Sequence, residues 1–109
     1  MISEKKYELI NALNYCAASC NQCAVACLGE KDLPMMAECI RKDIDCAEIC
    51  HLLASFVARD SVHATHLMHE CAEICEACAA ECEKHSHMEH CRICAEACRH
   101  CAEACAQPA

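Results

Sequence analysis

The sequence predicts an all-α protein, an antiparallel up-down-up-down four-helix bundle with a cysteine-lined core. Three observations carry that reading. Sixteen of the 109 residues are cysteine, and they recur at alternating steps of three and four, the spacing of the helix stripe that faces a bundle interior. Long segments rich in Ala, Glu, Leu, Met and Lys, all good helix formers, are interrupted at only three breaks: Gly29–Pro34, Arg59–Ser61 and Lys84–His87. One glycine, three aromatic residues and few β-branched ones disfavour a sheet. Leu, Ile, Val and Phe number only 18, about 17% of the chain. That is below the roughly 20% expected of an ordinary apolar core, so the cysteines must themselves line the interior.

A single domain over 1–109 accounts for the chain, with helices over about 3–28, 33–59, 61–84 and 87–106. The first carries Cys16, Cys20, Cys23 and Cys27, and Gly29 suits the position just past its end. The second opens with Asp32 as N-cap and Pro34 in the first turn, and carries Cys39, Cys46 and Cys50. The third is expected to start at a Ser61 cap and repeats the first helix's spacing at Cys71, Cys75, Cys78 and Cys82. The fourth follows a capping box, Ser86-x-x-Glu89, and carries Cys91, Cys94, Cys98, Cys101 and Cys105, with Pro108 ending the chain.

The rest of each stripe sets the direction of the bundle. Ile2, Leu9, Ile10 and Leu13 precede the cysteines of the first helix, and Leu52, Leu53, Phe56 and Val57 follow those of the second. Val62, Leu67 and Met68 open the third. In an antiparallel bundle these aliphatic ends meet and plug one end of a thiol-lined tube. Met35, Met36, His85, His87, Met88 and His90 fall around the opposite mouth. His51, His63, His66, His69 and His100 lie mostly off the cysteine stripe and read as surface or subunit-contact residues.

Composition narrows the function. A net charge of −8 argues against nucleic acid, whose phosphates need a basic face. No run of 18 apolar residues exists to span a membrane. The N-terminal MISEKKYELINALNY has charges where a secretory signal needs its apolar segment. The expected compartment is therefore the cytoplasm, where thiols stay reduced and abundant cysteine points to metal or redox chemistry rather than disulfides. No phosphate, nucleotide or oxyanion motif is present, and a buried thiolate array offers no open substrate position, so an enzyme is not expected.

Seven Cys-x-x-x-Cys pairs, 16/20, 23/27, 46/50, 71/75, 78/82, 94/98 and 101/105, stack thiols one above another on a helix. Two such thiolates suit a soft ion with two near-linear ligands, and soft thiolates select Cu(I), zinc or iron–sulfur clusters. Four Zn²⁺ in separate four-thiolate sites would leave the interior strongly negative, at great cost. One Cu(I) per cysteine, each thiolate bridging two ions, leaves it neutral. Iron–sulfur clusters draw their ligands from loop runs that this chain lacks. Binding of Cu(I), about one per cysteine, is the reading that balances. Zinc binding or a thiol redox buffer is the alternative.

The segments ECIRKDIDCAEIC (38–50), CAEICEACAAEC (71–82) and KHSHMEHCRICAEACRHCAEAC (84–105) resemble the cytosolic bacterial copper storage proteins, over almost the whole chain. That resemblance implies storage of many Cu(I) ions inside a bundle in the cytoplasm, with the bundles assembled as a homotetramer. A copper chaperone or a low-molecular-weight thiol is the candidate partner for loading.

Two cysteines lack a partner four residues away. Cys39 has Asp43 there. A carboxylate at that position is either an oxygen ligand or a thiol-proton acceptor, a reading slightly favoured by the resemblance, or sits in solvent through an outward rotation of the helix. Cys91 has His87 four residues earlier, and His87 and His90 are the expected copper ligands at the mouth, with His85 a weaker candidate. Met35, Met36 and Met88 either guide Cu(I) or pack.

Overall fold

The computed structural model describes residues 3–106. Ile2 and Pro108, expected to join the plug and to end the chain, lie outside them. Four helices account for most of the described residues: α1 (Glu4–Leu28), α2 (Leu33–Ala58), α3 (Ala64–Glu83) and α4 (Glu89–Ala106). α1 packs on α2 and α4, and α3 packs on the same two. Sequential helices are thus neighbours in a closed ring, a rod of 49 × 19 × 17 Å.

The helix ends follow local chemistry. Ser3 caps α1 by accepting from the Lys6 amide at 3.2 Å, and Asp32 caps α2 by accepting from the Met35 amide at 3.2 Å, with proline in the first turn. Three ends differ from expectation. Gly29 is right-handed (φ −88°), so α1 closes through tight three-residue bonds, Gly29 N–H to Ala26 and Glu30 N–H to Cys27, rather than a left-handed glycine. Ser61 does not cap α3. α2 instead ends in a Schellman turn, with Asp60 N–H donating to Val57 and Ser61 N–H to Phe56. That turn puts Asp60 in the left-handed region at φ 54°. The Ser61 hydroxyl then accepts from the His63 amide, and α3 begins only at Ala64. The capping box before α4 is not formed either. Glu89 is the first helical residue, and Ser86 stays in the preceding turn, where its carbonyl accepts from Arg92.

The plug is smaller than the sequence pattern indicates. Leu13, Leu53 and Val57 are buried at its centre, with Leu9, Ile10, Leu67 and Met68 packed around them. Phe56 is only half-buried, under the Arg59 guanidinium at 4.8 Å from its ring centre. Val62 is 88% exposed because it precedes α3, and Leu52 is also exposed. Alanines 17, 47, 79, 95 and 102 complete the core, letting the helices approach closely around the thiols.

Candidate metal centre

All sixteen cysteines are free and buried, which fixes the rotation of all four helices. Their sulfurs form two runs along the axis, joined at mid-depth through Asp43. At the mouth, Cys23 lies 3.8 Å from Cys27 and 3.9 Å from Cys91. Cys27 leads to Cys39 at 3.9 Å, and Cys39 to Cys82 at 3.6 Å. Deeper, Cys94 lies 3.6 Å from Cys20, and Cys20 3.6 Å from Cys98. Cys98 and Cys16 are 3.7 Å apart, Cys16 and Cys46 3.8 Å, and Cys46 and Cys75 3.6 Å. Toward the plug, Cys50 lies 3.8 Å from Cys71 and from Cys75, and 3.9 Å from Cys101. Cys105 follows one turn on, also buried.

The expected pairs 16/20, 23/27, 71/75 and 94/98 are in contact at 3.8–4.0 Å. Most sulfur contacts, however, run between helices rather than along them. Spacing within one helix reveals the first kind only. The second depends on helix register and has no signature in the sequence.

Asp43 is fully buried and breaks the thiol lining at mid-depth. Its Oδ1 accepts from Cys78 at 3.2 Å, Cys94 at 3.3 Å and Cys82 at 3.7 Å, and its Oδ2 from Cys39 at 3.9 Å. The inward orientation is thus the one adopted. Burial, followed by the charge of Cys94, Cys78 and Cys39, pushes its carboxyl up to about 10. Burial and then the charge of Cys39 push Cys91 up to about 12, and burial likewise raises Cys27.

The mouth histidines separate into three cases. His90 Nδ1 lies 3.5 Å from Cys23 and Cys91 and 3.9 Å from Cys27. His85 is buried; its Nε2 meets Glu81 Oε2 at 3.3 Å, and its Nδ1 has no partner. His87 is exposed. Because α4 starts at Glu89, His87 lies outside the helix and does not stand one turn above Cys91, so the structure does not bring it to the thiols. Met36 is fully buried, Met88 packs against the core, and Met35 is exposed. His51, His63, His66, His69 and His100 are exposed. Sequence reasoning missed two carboxylates. Glu81, four residues before His85, had a helical signal. Glu30, whose Oε2 lies 3.0 Å from His90 Nε2, follows a helix end and had none.

Several sets of four donors lie within 4.8 Å of one another. They include Cys23, Cys27, His90 and Cys91, as well as Cys16, Cys20, Cys46 and Cys98. Neighbouring sets share members: Cys16 and Cys46 also group with Cys50 and Cys75, and those two in turn with Cys71 and Cys101. Shared thiols suit ions bridged by common ligands, not isolated four-ligand sites. Sulfurs about 4 Å apart are spanned by two bonds near the roughly 2.3 Å of zinc–thiolate.

Comparison with known proteins gives the same picture. The sequence model of the copper storage protein family (Csp) matches residues 2–109. An uncharacterized cysteine-rich protein of Bacillus subtilis, YhjQ, is 43% identical over 88 residues, 81% of each chain. The structure of the Cu(I)-bound copper storage protein BsCsp3 aligns with a TM-score of 0.88 and 40% identity, over 94% of this chain and 95% of that one. A cytosolic copper storage protein from Streptomyces lividans, in a structure with five coppers, aligns with a TM-score of 0.90 and 40% identity, over 94% and 89%. With sixteen inward thiols on four helices and a match over nearly its full length, this chain belongs to the copper storage protein family.

Proposed function

We propose that the bundle interior stores Cu(I) as cargo, held by Cys16, Cys20, Cys23, Cys27, Cys39, Cys46, Cys50, Cys71, Cys75, Cys78, Cys82, Cys91, Cys94, Cys98, Cys101 and Cys105, with His90 at the mouth and Asp43 at mid-depth. A chain of donors from mouth to plug, two runs of sulfurs 3.6–3.9 Å apart joined at mid-depth by Asp43, carries this reading. It offers successive positions in which one thiolate serves two ions. Overlapping donor sets favour this over separate zinc sites, which would compete for the same sulfurs. No observation favours a redox buffer.

The expected capacity is about one Cu(I) per cysteine, the ratio at which thiolate and copper charges cancel. The role is binding rather than catalysis, since every donor but His90 is enclosed. We read the chain as cytoplasmic, like its Streptomyces relative, as a homotetramer, and as loaded by a copper chaperone or a low-molecular-weight thiol. An anaerobic Cu(I) titration against a competing chelator tests the reading. Saturation near 16 ions is expected. Saturation near 4, with tetrahedral geometry by X-ray absorption, would support zinc-like sites instead.

A further inference from the structure

His90 is held on both sides of its ring. Its Nε2 lies 3.0 Å from Glu30 Oε2, with side-chain exposures of 18% and 32%, and its Nδ1 faces the sulfurs of Cys23, Cys91 and Cys27. An ionised carboxylate only accepts, so the short contact requires the proton on Nε2, and a neutral ring then carries its lone pair on Nδ1. The opposite tautomer would set a lone pair against the carboxylate oxygens and turn an N–H toward the thiols. Glu30 is itself fixed by the turn that closes α1, where its amide donates to the carbonyl of Cys27 at 3.1 Å. One short segment therefore places both a candidate ligand and the carboxylate that orients another.

We propose that Glu30 is a positioning residue for copper loading: by accepting from His90 Nε2–H it fixes the tautomer that presents Nδ1 to Cys23, Cys27 and Cys91 as the fourth donor of the mouth. The proposal rests on the storage reading above. Metal-ligating histidines commonly donate their other N–H to a carboxylate, and losing that partner typically costs roughly 10- to 100-fold in metal affinity. Glu81 and His85 repeat the pairing at 3.3 Å, but the Nδ1 of His85 reaches no thiol, so Glu30 alone receives this role.

The test uses reduced, copper-free protein labelled with ¹⁵N-histidine, in which long-range ¹H–¹⁵N spectra read the tautomer directly. The parent is expected to show His90 protonated at Nε2. Glu30→Ala should show a mixture of tautomers. In stopped-flow transfer from a Cu(I)–chelator complex, it should take up its first equivalents about 10-fold more slowly or worse. Glu30→Gln, whose amide oxygen still accepts, should recover most of both, and final capacity should match in all three. A parent His90 protonated at Nδ1 overturns the proposal, whether or not the alanine variant folds. So does a Glu30→Gln variant that loses tautomer and rate, or a Glu30→Ala variant that keeps both. Failure of the storage reading would look different: the parent would bind far fewer copper ions than cysteines while its His90 tautomer stayed as assigned.

Discussion

Asp43 is where a single residue costs the copper-free bundle most. It is enclosed by thiols from every helix: Cys39 on its own helix, Cys78 and Cys82 on α3, Cys94 on α4 and Cys23 on α1. Its folded value of about 10 stands far above the ordinary 3.8. Between those limits the native state holds a proton that the unfolded chain has released, so stability falls as pH rises, by at most about 1.4 kcal/mol per pH unit. Asp43→Asn removes that proton from the balance. Urea denaturation of the reduced, copper-free protein from pH 5 to pH 8 should therefore show a shallower decline in the variant. Equal slopes in the two proteins would mean that Asp43 is ionised in the folded state. The sequence left the direction of Asp43 open because a lone carboxylate on a stripe of thiols fits either orientation. The burial of all sixteen cysteines, on other turns of α2 and on the other three helices, decides it.

At the scale of the helices, the stripe was legible and the ends were not. Alternating threes and fours place every cysteine inside, because a helix offers that spacing only one face. The start of α3 depends instead on the left-handed turn at Asp60, a conformation that no glycine announces. The start of α4 at Glu89 in turn removes His87 from the thiol face. The same end effects decide which residues close the plug. Leu53 is fully buried, whereas Phe56 is half-buried beneath Arg59. Leu53→Ala should cost about 2–5 kcal/mol, the usual range for a buried leucine, and Phe56→Ala clearly less. Neither should lower copper capacity, since neither carries a donor. Urea midpoints of the two variants check the order; a larger loss for Phe56→Ala would return the phenylalanine to the centre of the plug.

For the molecule as a whole, the governing quantity is buried charge. Sixteen enclosed thiolates without counterions would be prohibitive, so the copper-free interior must hold its protons, in keeping with the upward shifts of Cys27 and Cys91. The fully loaded interior is neutral again once each thiolate is matched by one Cu⁺. Filling the bundle thus exchanges a proton for each copper and leaves the protein's net charge unchanged, so the last ion meets no more repulsion than the first. This balance could be anticipated from composition alone. That the sulfurs gather into two runs joined by Asp43 could not, because this arises from contacts between helices. Since metal ligands must be deprotonated to bind, calorimetric Cu(I) titrations in two buffers of different ionisation enthalpy should report about one proton released per copper at every stage. The reduced copper-free protein should already be helical by far-UV circular dichroism, and its melting temperature should rise as copper is added, because the preorganised thiols of the folded bundle bind Cu(I) more tightly than the unfolded chain does. Early equivalents that release no proton would reveal thiolates already ionised in the copper-free bundle, and the one-for-one exchange would then be wrong.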